Sequence, residues 1–292
     1  MSKVGILYLV GDGRSGTTLL SRLLDLEADH RAIGEVSSLG VEDNWTLPCG
    51  CGVAHAECPV WGPLIATWSD SSRLAAWKEV LLAGVGRRKL RDGSKHVRDG
   101  VATGLDELRR VYESLGQPGT VLVDESKRPW LGRLLARQSW TDVRFVQLVR
   151  DPDDVVASWS KVKEYHRQIP AETVAKAWLR RQAVSEMLRR TSGRPWLRLP
   201  YEELANSPQQ ALEKVLQRPA VGLHWDGSSW IFPSRENHIY LSNSDKLRRG
   251  LETVRPISPR MDTHEEPGQS GWERLARSIY RSESKRLSTH YS

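Results

Sequence analysis

Residues 4–24 read VGILYLVGDGRSGTTLLSRLL, and three kinds of local structure follow one another within them. VGILYLV, residues 4–10, is a short apolar run that ends at glycines, the pattern of a strand buried on both faces. TTLLSRLL has helical spacing. Between them lies GDGRSGTT, residues 11–18, a glycine-rich loop that opens onto a helix N-terminus, where backbone N–H groups and the helix dipole favour an anion. Gly11 and Gly16 have the spacing of a nucleotide-phosphate loop and Thr18 fills its last position, but Thr17 stands where that loop carries lysine. The backbone from Gly13 through Arg14, Ser15, Gly16 and Thr17 to Thr18 can still nest an anion. Arg14 adds a planar, bidentate donor, and Ser15, Thr17 and Thr18 add hydroxyls. A lysine aimed at a γ-phosphate is what has gone. The expectation is a nucleotide with a short anhydride and a differently placed transferable group.

The remaining chain repeats the alternation. TVLVDES at 120–126, VRFVQLV at 143–149 and the PWLRLP of PWLRLPYEEL are further apolar strands. Helical spacing covers 72–91, 98–115 and 171–191, and it recurs in DPDDVVASWSKV, SPQQALEKVL and WERLARSIYRSESKRL. Residues 219–269 are rich in loop-forming residues, and a polar tail from about 284 to 292 is expected to fray. Strands alternating with helices predict an α/β fold: a single P-loop-like domain over 1–292, with a central parallel sheet and helices on both faces. Ligands in such sheets bind beyond the carboxyl ends of the strands, where residues 11–18, 124–127 and 150–158 fall.

Composition narrows the function. No stretch approaches ~20 consecutive apolar residues, so no transmembrane helix is expected. The N-terminal apolar run leads into the glycine loop without a small-residue cleavage site, which reads as a strand and points to the cytoplasm. The net charge of +7 suits an anionic ligand. Its densest clusters, RRKLR at 87–91 and KLRR at 246–249, are short and not interleaved with aromatics, so no nucleic-acid partner is expected. Cys49, Cys51, His55 and Cys58, in CGCGVAHAEC, number four potential zinc ligands. Their CxC spacing departs from the usual knuckle, and a reducing compartment disfavours a disulfide; a loop with buried thiols and no metal is the expected outcome.

Two stretches together resemble the sulfotransferases that use 3′-phosphoadenosine 5′-phosphosulfate (PAPS). GDGRSGTTLLSRLL resembles their 5′-phosphosulfate loop, in the Arg-Ser-Gly form of carbohydrate, tyrosyl and many bacterial members. VQLVRDPDDVVASW is similar to their 3′-phosphate motif, which implies Arg150 and Ser158 on that phosphate; Ser158 lies about two helical turns beyond Arg150. VDESKRPW resembles a segment of bacterial members and implies Ser126 and Lys127 near the cofactor. HIYLSNSDKLRRG resembles an altered His-x-x-x-Gly-Asn-Pro-x-Arg loop, which puts His238, Asn243 and Lys246 at cofactor-binding positions, with Ser242 in place of glycine and Lys246 in place of arginine. LRLPYEELANSP and CGCG…ECPVW also have counterparts in bacterial members, and the echoes together run from residue 4 to about 275.

The resemblance implies a bacterial, cytoplasmic transferase that moves a sulfuryl group from PAPS, leaving 3′,5′-adenosine bisphosphate (PAP), to a hydroxyl of a small-molecule, sugar or lipid acceptor. No metal is required, and a homodimer is compatible. Glu35, in ADHRAIGEVSSL, takes the place of the catalytic base, with His30 as its rival, and Arg14 stabilises the departing phosphate and the sulfonate. The acceptor pocket is expected from 72–115 and 159–170. Trp45, Trp61, Trp159 and Trp230 lie in or beside loops, though core packing is the expectation for most of the 12 tryptophans. Two other readings compete. A P-loop kinase would use Asp151 on magnesium, against which stand Thr17 and Arg150; a nonenzymatic anion- or nucleic-acid-binding module would use only the positive charge.

Overall fold

Strand β1 (Val4–Val10) is closed off from water on both faces: Ile6, Leu7, Tyr8, Leu9 and Val10 are all buried in the computed structural model. The structure describes residues 3–68, 71–85, 95–160, 169–232, 236–241, 253–257 and 270–289. Strand β1 pairs in parallel with β3 (Val121–Asp124) on one side and β4 (Thr141–Val149) on the other. Outside these lie β2 (His30–Gly34), parallel to β3, and β5 (Trp196–Pro200), parallel to β4, giving the order β2-β3-β1-β4-β5.

Parallel strands need crossovers, and helices supply them on both faces. Successive β1 side chains point to opposite sides. Ile6, Tyr8 and Val10 pack with α2 (Trp61–Ala66), α3 (Ser71–Val85), α4 (Lys95–Leu115) and α5 (Pro129–Ala136), through Trp61, Trp77, Tyr112 and Leu131. Leu7 and Leu9 pack with α1 (Thr17–Leu24) and with the helix Pro208–Leu216, through Leu20, Leu23, Leu212 and Val215. A third cluster, built on Val155, Trp178 and Ala276, joins α6 (Pro152–Ser160) and α7 (Ala171–Ser192) to the C-terminal helix Gly271–Thr289. An Arg277–Asp153 ion pair at 2.8 Å ties that helix to α6. No helix among the described residues is long and apolar enough to cross a membrane.

The α/β fold with a parallel central sheet is therefore present, and the strand read at 4–10 has those bounds. The helix read at 72–91 is α3, described as far as Val85; residues 86–94 lie outside the described residues. Inside 219–269, read as loop-rich with no strand named, the pairs His224–Trp225, Trp230–Ile231 and Thr253–Val254 form a small antiparallel sheet. Two-residue strands carry no alternation to detect. The last helix reaches Thr289, beyond the point near 284 where fraying was expected. Most tryptophans are core, as anticipated: Trp61, Trp68, Trp77 and Trp178 are fully buried, and Trp45, Trp130, Trp140, Trp159, Trp196 and Trp230 pack against the core while partly buried.

Helix α5 sits close on the sheet because Gly132 has no side chain; a Cβ there would stand 2.8 Å from the Phe145 ring and 3.0 Å from Tyr8. Gly132→Ala should lower unfolding free energy by about 1–3 kcal/mol through overpacking. An unchanged urea midpoint would show that α5 is not seated on this face as described.

Candidate active site

Because all five strands run the same way, their carboxyl ends share one edge. The residues that follow them are Gly11–Gly16 after β1, Glu35 after β2, Glu125 to Lys127 after β3, Arg150 after β4 and Tyr201 after β5. The chain winds from β1 to one side and later to the other, so the switch point falls at β1 and its loop.

The loop is shaped by two left-handed residues, Arg14 (φ 72°) and Gly16 (φ 94°), the second being the N-cap of α1. Gly16 has no alternative here, because a Cβ would also strike the Tyr201 ring at 2.4 Å. Ser15 donates its N–H (3.2 Å) and its hydroxyl (2.7 Å) to the Asp12 carbonyl. No side chain caps α1, so its first amides face the loop. The hydroxyls expected as anion donors are partly engaged elsewhere: that of Ser15 within the loop, and that of Thr18 on Glu125 Oε2 at 3.3 Å. Thr17 is buried, and Gly13 lies against the Trp159 ring.

Arg150 reaches across from β4. Its Nη1 donates to the Arg14 carbonyl at 2.9 Å, its guanidinium lies over Tyr201 at 4.3 Å, and Nη2 is 3.9 Å from Asp154. Its Nε is buried with no hydrogen-bond partner among the described residues. The Arg14 guanidinium lies 5.2 Å from the Trp159 ring centroid. Two cations from neighbouring strand ends thus lean on aromatic faces, contacts worth about 0.5–2 kcal/mol each. Ser158 is half-buried on α6, the helix that starts two residues after Arg150.

A third group gathers beside the loop. Lys127, in a left-handed turn (φ 57°), donates to Glu35 Oε1 at 2.6 Å and stands 4.0 Å from the buried Glu125. Arg181 of α7 holds that turn by donating to the Lys127 carbonyl at 2.7 Å, and it lies 3.7 Å from Asp12. Ser126 is a brace: its hydroxyl accepts the Ser37 N–H at 3.0 Å, and its own N–H donates to Asp124 at 2.7 Å. Burial pushes Asp124 up to about 6. Glu125 and Arg181 were not singled out from the sequence; one sits between two motif residues and the other in an arginine-rich helix, LRRQ, that offers no contrast.

Other expectations fall elsewhere. His30 opens β2 and pairs with Asp29 at 2.8 Å. Five residues of strand at about 3.3 Å each separate it from the edge that carries Glu35, which removes it as a rival base. The His238 ring is turned onto Cys58, Nδ1 to Sγ 3.3 Å, and its carbonyl accepts the Trp61 indole at 2.6 Å. His55, expected beside the thiols, is instead buried with Nδ1 3.0 Å from the Asn44 carbonyl. Asn243, Lys246 and 161–168 of the expected acceptor loop lie outside the described residues. Of the four loop tryptophans, Trp159 meets the glycine loop; Trp61 is core, Trp45 bonds Leu39 and Trp230 bonds Asn206.

Asp12 lies under the loop, and burial pushes it up to about 7, opposed by Arg181 and a hydrogen bond from Gln182. The native state therefore binds a proton there that the unfolded chain has already lost, and this contribution falls as pH rises from about 4 to 7. Between about pH 4 and pH 8, the stability of Asp12→Asn should gain on the parent by at least about 1 kcal/mol, one pKa unit being about 1.4 kcal/mol. Urea titrations at the two pH values measure this; a pH-independent difference would mean that Asp12 is charged throughout.

A profile of the sulfotransferase family matches residues 7–227. A search of curated proteins finds no significant match. Among solved structures, the chain is similar to the sulfotransferase domain of the Synechococcus PCC 7002 olefin synthase, at 14% identity and a TM-score of 0.54 over 96% of each chain. At that identity the likeness speaks for the fold. Sulfotransferase STF1 from Mycobacterium tuberculosis is 14% identical over 85% of this chain and 70% of its own, with a TM-score of 0.43. The family profile takes in well over half of the chain and all five strand ends of the parallel sheet, and the chain belongs to the sulfotransferase family.

Proposed function

We propose that the chain transfers a sulfuryl group from PAPS to the hydroxyl of a small-molecule, sugar or lipid acceptor. The observation that carries this reading is the meeting of Arg14, Arg150, Lys127 and Glu35, from four strand ends, at one edge of the sheet. The donor set fits a ligand with two separated anionic groups. The loop amides from Gly13 to Thr18 and Arg14 would hold the 5′ side. Arg150, whose buried Nε has no partner among the described residues, would hold a 3′-phosphate with Ser158.

When bound, PAPS supplies the sulfuryl group, and the bisphosphate is its leaving group. Everything else is asked of the chain. Glu35 Oε1 is held by Lys127, leaving Oε2 to accept the proton of the acceptor hydroxyl. Lys127 keeps the carboxylate oriented and places a cation beside the proton transfer. Arg14 provides positive charge where negative charge grows on the leaving side. Asp12, pushed up to about 7 by burial, carries only part of a full negative charge near neutral pH and so weakens a competing charge under the loop.

Calorimetric titration with 3′,5′-adenosine bisphosphate, without magnesium, tests the cofactor class. The parent should bind. Arg150→Ala should bind about 10- to 100-fold more weakly, from about 1.5–3 kcal/mol per charged hydrogen bond. Magnesium-dependent ATP binding, with none of the bisphosphate, would contradict the proposal. Glu35→Gln should keep the bisphosphate affinity and lower kcat about 10²- to 10⁴-fold toward whichever hydroxyl the parent sulfates. A matching loss of affinity would assign Glu35 to binding instead.

A further inference from the structure

The loop Cys49–Cys58 folds back onto residues 236–241, and four ligand atoms converge where they meet. The sulfurs of Cys49, Cys51 and Cys58 and a ring nitrogen of His238 all lie within 4.8 Å of one another. Cys51 Sγ is 3.8 Å from Cys58 Sγ, and Cys58 Sγ is 3.3 Å from His238 Nδ1. Tetrahedral zinc, with bonds of about 2.3 Å to sulfur and 2.0–2.1 Å to nitrogen, sets its corners about 3.8 Å apart for two sulfurs and about 3.5 Å for sulfur and nitrogen. Thiols are weak donors and acceptors, so mutual hydrogen bonding is a poor reason for three of them to gather.

The backbone is built for this gathering. Cys49 donates to the Val53 carbonyl at 2.7 Å, and Gly52, at φ 93°, donates back to the Cys49 carbonyl at 2.9 Å, closing a tight turn around Cys51. At Gly50 a Cβ would stand 1.9 Å from Asn237 Oδ1, so only glycine lets the turn approach the segment that carries His238. The Val60 N–H points at Cys58 Sγ at 3.5 Å. Cys49 and Cys58 are buried, while Cys51 and His238 are half-buried. The CxC spacing, unlike the usual knuckle, is completed by one ligand seven residues after Cys51 and another 180 residues after Cys58.

We infer that Cys49, Cys51, Cys58 and His238 form a structural zinc site. Three thiolates and an imidazole gathered within 4.8 Å suit zinc and do not suit magnesium, calcium or manganese. Four protein ligands leave no open position for chemistry. The ion's work is to fasten a strap. Two residues beyond His238, the Tyr240 carbonyl accepts the Glu35 N–H at 2.8 Å, and the Tyr240 N–H donates to Ile33 at 3.4 Å. Gly34 admits this contact, since a Cβ there would lie 2.2 Å from the Tyr240 oxygen. The zinc thus anchors the segment that fixes the Glu35 backbone, and the site stands whether or not Glu35 is the base.

Elemental analysis of the full chain purified with its thiols reduced should find about one zinc per chain. Cobalt in its place should show tetrahedral d–d bands with thiolate charge transfer. His238→Ala should lower zinc affinity at least about tenfold, since losing even a ligand's supporting partner costs about 10- to 100-fold. His238→Cys should keep the metal and move the cobalt bands toward an all-thiolate spectrum. Removing the metal should speed amide exchange at Glu35 and Tyr240. Reduced chain that takes up neither zinc nor cobalt would overturn the inference. So would a Cys51–Cys58 disulfide that leaves a single free thiol in the purified chain, or a cobalt spectrum unchanged in both His238 variants.

Discussion

The burial of β1 between β3 and β4 is the constraint on which the site depends. A strand with apolar side chains on both faces is stable only as an inner strand covered by helices on each side, and parallel pairing then forces every crossover through a helix. The consequence is geometric. The glycine loop, Glu35, Lys127, Arg150 and Tyr201 leave the sheet at the same edge because their strands share one direction. Five strand ends spread from residue 11 to residue 201 become neighbours although a crossover separates each from the next in sequence.

The electrostatics of that edge follow from what each charge rests against. Arg14 and Arg150 are close enough for one to bond the other's backbone; each guanidinium lies on an aromatic ring, and Arg150 also stands 3.9 Å from Asp154. Asp12 beneath them is driven toward its neutral form by burial. Glu35 and Lys127 satisfy one another, and Glu125 accepts from Thr18. Two guanidiniums stand where a dianion would sit, and an ion pair stands where a proton would move. That division is what a transfer reaction run by positioning and charge requires.

How much of this was legible in the sequence depended on the distance over which each feature is specified. The β1 strand and its loop are local: an apolar run, glycines at fixed spacing and a helix start. Arg150 is also local, at a strand end just before the helix that carries Ser158. Glu35 was reached through resemblance alone, and its ion pair with Lys127, 92 residues away, has no trace in either neighbourhood. The cysteine loop shows the same limit. His55 is adjacent in sequence and was the natural fourth ligand, but its ring packs on Tyr240 at 4.2 Å while His238 comes from far along the chain to the thiols. Strand direction likewise separates His30 from Glu35, a distinction that five residues of sequence do not display.

The central claim is that the strand ends form one cradle for a nucleotide with phosphates at both its 3′ and 5′ positions. A crystal structure of the chain with 3′,5′-adenosine bisphosphate tests it most directly. The account predicts the 5′-phosphate on the amides of Gly13 to Thr18, and the 3′-phosphate within hydrogen-bond distance of Arg150 Nε and the Ser158 hydroxyl. A bisphosphate bound away from the strand ends, or one whose 3′-phosphate bypasses Arg150, would contradict it.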